Sequence, residues 1–123
     1  MSETKITVIY DNPTDPEAFE AAYESEQLAI ARRIPGQIRF EASKVWPKED
    51  GSPTPAYRMI DMYYPDYDAA STAVTTPEAG GFFQAMARLS TGGTRVVLGC
   101  RSTAAMMCPP PTSSQLEFSR QFL

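Results

Sequence analysis

Two hydrophobic periods alternate along this chain, and their order restricts the fold more than any other feature. A period of two, typical of β-strands, covers residues 4–10, 37–46, 56–64 and 94–99. Helical periodicity follows the first and the third of these segments. The order β-α-β-β-α-β predicts an α+β fold of the ferredoxin-like class, in which a four-stranded antiparallel sheet carries its helices on one face.

The helix boundaries can be read from individual residues. Asp15 followed by Pro16 predicts a helix start, because aspartate caps the first turn and proline has no N–H to leave unpaired. The Pro-Gly pair at residues 35–36 predicts the end of this helix near residue 34. Asp66 predicts a short helix to about residue 74, and Thr76-Pro77 begins another that ends near residue 89.

The two faces of the predicted sheet differ in polarity. One face is apolar, whereas the other carries apolar and polar residues together: Ile9, Val45, Val97, Thr7, Arg39 and Glu41. A partly apolar sheet face suits a partner subunit better than bulk water. We therefore expect a homodimer that forms through the sheet faces.

Charge and hydropathy exclude two classes of partner. The formal net charge is −4 and the pI is about 4.8. No cluster of Lys and Arg is present to attract nucleic acid or an anionic membrane. No apolar run approaches the ~20 residues that span a bilayer. The chain begins Met1-Ser2-Glu3, without a basic and apolar leader, so we expect a cytoplasmic protein.

The absence of histidine limits the chemistry available. It removes imidazole acid–base catalysis, Ser–His and Cys–His nucleophiles, and most zinc and haem sites. Cys100 and Cys108 do not indicate a disulfide framework and make a poor metal site by themselves. We expect neither a metal nor a cofactor.

The sequence changes character after residue 99. Residues 100–123 contain a proline triplet and no clear period before a short stretch with Phe118, Phe122 and Leu123. We expect residues 1–99 to form the domain and residues 100–123 to be an extension that docks on it or on its dimer partner.

Three stretches resemble the EthD-like family, named after ethyl tert-butyl ether degradation. They are VIYDNPTDPEAFEAAYESEQLAIARRIPG at residues 8–36, AYRMIDMYYPD with the following TPEAGGFF, and STGGTRVVLG. The resemblance covers about residues 4–99, and the first stretch is its specific part. It implies a dimeric α+β barrel, in which each subunit keeps a cleft between its sheet and its helices. Relatives in the wider superfamily often need no cofactor.

Gln27 stands where the resemblance places a histidine in many EthD-like proteins. It lies on the apolar stripe of the first helix, one turn from Tyr23. An amide there can orient a carbonyl or a hydroxyl group but cannot act as a base. The alternative is a helix-edge glutamine that reaches solvent.

Asp61 and Tyr23 are the candidates for acid–base chemistry without histidine. Asp61 is in the middle of an apolar strand, where burial would raise its pKa. The alternative for Asp61 is an ion pair with Lys or Arg at the dimer face.

Aromatic side chains and a methionine are predicted to line a site for a small apolar or aromatic ligand. With Gln27, the candidates are Tyr10, Tyr23, Phe40, Trp46, Tyr57, Tyr63, Phe82, Phe83 and Met86. Core packing is the alternative for each of them.

Three functions remain open from the sequence. The first is an EthD-like dimer that binds a small molecule, in the catabolism of a small organic compound. The second is a cofactor-independent cyclase, isomerase or decarboxylase of polyketide-type metabolism. The third is a structural or accessory dimer. The missing histidine favours binding over catalysis.

Overall fold

The computed structural model of this chain describes residues 3–100. Its elements are β1 (Thr4–Tyr10), α1 (Pro16–Ala22), a π-helical turn (Tyr23–Gln27), α2 (Leu28–Arg33), β2 (Arg39–Lys44), β3 (Arg58–Tyr64), α3 (Tyr67–Ala73), α4 (Pro77–Leu89) and β4 (Thr94–Cys100). The predicted order of strands and helices is confirmed. The proposed docking of residues 101–123 lies outside the described residues and stays a prediction.

The four strands form one antiparallel sheet in the order β2-β3-β1-β4. Helices cover one face of it, which confirms the ferredoxin-like fold class. On β1 the residues that face the helices, from Thr4 to Tyr10 in steps of two, are buried. Tyr10 lies beside Arg58 of β3 in the register of the sheet. These two positions set the end of the sheet where the candidate site forms.

Side-chain caps start the helices at the predicted places. Asp15 accepts a hydrogen bond from the backbone N–H of Ala18 at 3.2 Å. Asp66 accepts one from Ala69 at 2.8 Å. Thr76 caps α4 in the same way, and proline follows at the first helical position. Each cap satisfies an N–H that the first helical turn leaves unpaired.

The sequence predicts one continuous α-helix at residues 16–34, but the structure interrupts it with the π-helical turn. We call α1, the π-helical turn and α2 together the long helix. Its buried residues Phe19, Tyr23, Gln27 and Ala31 are spaced by four. In an α-helix each such step rotates the side chain by roughly 40° away from the core. The π-turn, in which Leu28 N–H donates to Tyr23 C=O, underwinds the helix and keeps these residues on one face.

Strand β2 is shorter and more exposed than predicted. It ends at Lys44, although the N–H of Val45 still donates to Tyr57 C=O. Ile38 and Trp46, which the alternation of residues 37–46 assigns to the same side as Phe40, are 55% and 88% exposed. The helix layer packs against Phe40 but does not cover the residues beyond the two ends of this edge strand.

Cys100 corrects the expectation about the cysteines. It is disulfide-bonded, and it is also the last described residue. Within residues 3–100, no helix is both long enough and apolar enough to span a membrane.

Candidate functional site

Gln27 is a fully buried polar residue at the end of the π-turn, with 0% of its surface exposed. Its side-chain amide donates to the hydroxyl of Tyr10 at 2.6 Å and, more weakly, to the backbone carbonyl of Phe82 at 3.4 Å. These contacts join the long helix to β1 and α4. The helix-edge alternative, in which Gln27 reaches solvent, is therefore wrong for this chain.

Two polar atoms at this position have no hydrogen-bond partner in the described part of the chain. They are Gln27 Oε1 and the hydroxyl of Tyr23, both buried. A buried polar atom left unpaired costs about 1–3 kcal/mol, so each such atom indicates a place where a further partner would be stabilising.

The tyrosines of this site are neutral at physiological pH. Burial raises the pKa of Tyr23 to about 12. Burial also raises the pKa of Tyr10, and it outweighs the opposing hydrogen bond from Gln27. Both hydroxyls can therefore donate or accept a hydrogen bond, but neither is a base at neutral pH.

Aromatic rings form the wall around the amide. Tyr10 meets Phe19 edge to face at 5.3 Å between ring centroids, and it meets Tyr23 at 5.7 Å. Phe19 stacks on Tyr23 at 5.5 Å and meets Tyr57 edge to face at 5.4 Å. Phe19 was not among the predicted site residues, although its spacing of four from Tyr23 pointed to it.

A charged group continues the site toward the rim of the sheet. The carboxylate of Glu20 accepts hydrogen bonds from Arg58 at 2.6 Å and Tyr57 at 2.8 Å, and it pairs with Lys44 at 3.0 Å. The guanidinium of Arg58 lies 4.8 Å from the centroid of the Tyr23 ring. We refer to Gln27, Tyr10, Tyr23, Arg58 and Glu20 as the polar cluster.

Arg58 and Glu20 are functional candidates that sequence reasoning missed. The available signal was the strand alternation of β3, which places Arg58 on the same side as the buried Ile60, Met62 and Tyr64. A charged residue at a core-facing strand position is unusual unless it has a partner.

Hydrogen bonding lowers the pKa of Glu20. Burial acts to raise it, but hydrogen bonds from Arg58, Tyr57 and Lys44 outweigh that effect. A carboxyl group with a lowered pKa in the folded state contributes stability above its unfolded-state value and loses it as the pH falls through its folded-state value.

We expect Glu20→Gln to lower the free energy of unfolding at neutral pH by roughly 1 kcal/mol, a modest value because solvent screens the pair. The difference from wild type should shrink below about pH 4.5 and vanish once Glu20 is protonated in the folded protein. Urea unfolding across this pH range measures it, with Glu24→Gln, at an exposed position, as the control. A difference that stays constant with pH would contradict the prediction.

Asp61 and Tyr63 lie on the face of the sheet opposite to the polar cluster. Asp61 accepts a hydrogen bond from Thr7 at 2.7 Å and lies 3.9 Å from Lys5. The guanidinium of Arg39 sits 4.0 Å from the centroid of the Tyr63 ring. Asp61 and Tyr23 are thus separated by the sheet within one subunit, and the expectation that Tyr63 shares a cleft with Tyr10 is wrong. The parity of β3 explains both placements.

The remaining candidates are spread over the helix side of the sheet. Phe82 and Met86 belong to the buried core, and Phe83 packs against that core and against Phe82. Phe40 is half-buried on β2, where Arg32 lies 5.3 Å from its ring. Trp46 is exposed beyond the end of β2. Of these, Phe82 contacts the polar cluster by a hydrogen bond, through its backbone carbonyl.

In the described part of the chain, a groove of 550 Å³ opens on the outer side of the helices between the long helix and α4, and a second groove has a volume of 220 Å³. Neither is lined by Gln27, Tyr10 or Tyr23. Across residues 3–100, no three His, Cys, Asp or Glu side chains are grouped as metal ligands.

Comparison with known proteins gives a relative in sequence. The chain is 32% identical over 89 residues to an uncharacterised 11.0 kDa protein in the thcB-thcC intergenic region of Rhodococcus erythropolis, covering 72% of this chain and 85% of that protein. No family model matches the sequence.

Solved structures match the fold over most of the described residues. An EthD family protein from Bacillus halodurans C-125 aligns with a TM-score of 0.73 and 23% identity, and the alignment covers 80% of this chain and 97% of that protein. A dimeric protein of unknown function with a ferredoxin-like fold, from Bacteroides fragilis, aligns with a TM-score of 0.58 and 12% identity, covering 80% and 96%.

Proposed function

We propose that this chain, which shares the fold of an EthD family protein, is a member of the EthD-like family and binds a small, largely apolar organic molecule between its sheet and the long helix. The name of the family supports a setting in the catabolism of a small organic compound. The ligand contacts proposed are the aromatic rings of the site and the polar groups of Gln27, Tyr10 and Tyr23.

One observation carries the proposal: Gln27 is fully buried and uses only one end of its amide. The Nε2 atom is hydrogen-bonded, whereas Oε1 and the nearby hydroxyl of Tyr23 have no partner within residues 3–100. An apolar side chain would fill this position at lower cost, since an unpaired buried amide is destabilising. A polar residue at such a cost is typical of a binding site rather than of a packed core.

Binding is favoured over acid–base catalysis by the electrostatics of the same residues. Tyr23 has a pKa of about 12 and Glu20 is held as a carboxylate by three donors. Neither group can exchange a proton readily at neutral pH.

We expect benzyl alcohol to bind with a Kd on the order of 1 mM, as a fragment of an apolar ligand with one hydroxyl group. Nitrogen–proton correlation spectra should show shifts at the side-chain amide of Gln27. Gln27→Leu should fold and bind the probe roughly fivefold more weakly, which corresponds to the loss of about one hydrogen bond.

Gln84→Leu is the matched control, since Gln84 is exposed on α4. It should bind benzyl alcohol as wild type does. Shifts confined to surface residues, or an equal effect of the two substitutions, would exclude a site at Gln27.

The same proposal includes a homodimer that forms through the open face of the sheet, the face away from the helices. This face carries Ile9, Met59 and the 48% exposed Val97 beside charged residues. A mixed face of this kind is suited to a partner, and the similar protein from Bacteroides fragilis is described as dimeric.

Sedimentation at micromolar concentration should give about twice the chain mass of 13.6 kDa. A stable dimer of this kind should bury well over roughly 1,000 Å² of surface in total. Val97→Lys places a charge in the middle of the edge strand β4 on this face and should shift the protein to monomer. Ala87→Lys, on the exposed side of α4, should remain dimeric. A monomeric wild-type protein would contradict the proposed dimer. A dimeric Val97→Lys variant would mean that the dimer interface lies elsewhere.

A further inference from the structure

Arg58 is a mostly buried cation at the outer end of the polar cluster. It lies beside Tyr10 on one side and Lys44 on the other in the register of the sheet. Its side chain is 18% exposed, and its guanidinium covers the ring of Tyr23. The arginine thus connects the buried hydroxyls with the rim of the sheet.

The hydrogen-bonding edge of this guanidinium is only half used. Nη2 donates to Glu20 Oε2 at 2.6 Å. Nε is buried and has no acceptor in the part of the chain described. Nε and one Nη together form the pair of parallel donors with which arginine binds a carboxylate. Glu20 does not take both, and its other oxygen is held by Tyr57 and Lys44.

The charges around Glu20 leave an excess of one positive unit. Arg58 and Lys44 share the single carboxylate of Glu20. Lys44 is about half exposed, at 53%, so the positive rim is open to solvent while Arg58 is not. A neutral ligand would bury part of this positive charge without compensation, whereas an anionic group would neutralise it.

We propose that the ligand is a small carboxylic acid whose carboxylate is held by Arg58, through the unused Nε, while its apolar body lies against Phe19 and Tyr23. This inference rests on the proposed function, since it names the chemical class of ligand for the same site. It also assigns Arg58 as a residue that determines ligand specificity.

The test compares benzoate with benzyl alcohol, two probes with the same ring and a similar size. Isothermal titration at neutral pH should give benzoate an affinity at least about tenfold higher, as expected for a charge-assisted hydrogen bond. Added salt should weaken benzoate binding and leave benzyl alcohol unchanged.

Variants of Arg58 assign the preference to this residue. Arg58→Met should remove the benzoate preference, and Arg58→Lys should reduce it several-fold, because lysine keeps the charge but lacks the paired donors. Arg58→Lys decides the question if Arg58→Met fails to fold. Arg33→Gln, which removes an exposed arginine from the end of the long helix, should retain the preference.

Each result separates the two proposals. Equal binding of both probes by the wild-type protein would overturn the carboxylic acid and leave the small-molecule site standing. Binding of neither probe would overturn both proposals. A full benzoate preference in Arg58→Lys would overturn the role of Arg58.

Discussion

Gly92→Ala is expected to lower the free energy of unfolding by about 3 kcal/mol. A Cβ atom at this position would lie 1.9 Å from the backbone oxygen of Asn12 and 2.7 Å from its carbonyl carbon. Both are backbone atoms, so the clash cannot be relieved by rotating a side chain. The turn before β4 would have to separate from the loop after β1, where Asp11 N–H donates to Gly93 C=O.

Gly80→Ala is the matched control for this substitution. Gly80 lies in α4, and nothing is within 4 Å of the Cβ that alanine would add. Alanine should therefore stabilise the helix by up to about 1 kcal/mol. Urea unfolding followed by circular dichroism measures both variants. Equal stability of Gly92→Ala and wild type would mean that the two loops are not in contact as described.

Tyr10→Ala should cost about 3–5 kcal/mol of stability, the range for removing a large buried aromatic side chain. Tyr10 is fully buried and packs against Phe19 and Tyr23, so its loss leaves a cavity in the middle of the core. The amide of Gln27 would also lose its strongest hydrogen bond. A loss of this size is a large part of the roughly 5–15 kcal/mol that holds a small domain folded.

Tyr10→Phe separates the ring from the hydroxyl. It keeps the packing and removes the acceptor for Gln27, so it should cost about 1–2 kcal/mol. Denaturant unfolding of both variants checks the order, with Tyr10→Ala the less stable. If Tyr10→Phe were as destabilised as Tyr10→Ala, the hydrogen bond rather than packing would dominate at this position.

Local signals in the sequence were sufficient for the order of elements and for the helix starts. An aspartate before proline caps a helix through contacts three residues away, so Asp15 could be interpreted without knowing the rest of the fold. The π-turn was harder to predict, because the sequence indicates it only through the spacing of four between the core-facing residues from Phe19 to Ala31. That spacing becomes informative only when all the residues involved are known to be buried.

The sequence predicts only part of the candidate site, because the rest depends on contacts between distant segments. Gln27, Tyr10 and Tyr23 come together because a helix face and a strand face meet. Residue type alone groups Tyr63 with them, but Tyr63 alternates with the buried residues of β3 and therefore lies on the other face of the sheet. Arg58 and Glu20 depend on each other across 38 residues of sequence. Their contact is a property of the tertiary fold, and neither residue alone indicates it.

The π-turn also bears on how the length of this chain can change. A helix that holds one residue more than a regular α-helical ladder requires can lose that residue without rotating its two ends relative to each other. A single-residue deletion between Tyr23 and Gln27 would convert the turn into ordinary α-helix. Phe19 on one side and Ala31 on the other would keep facing the sheet. The long helix is therefore an element in which a homologue one residue shorter would preserve the same core.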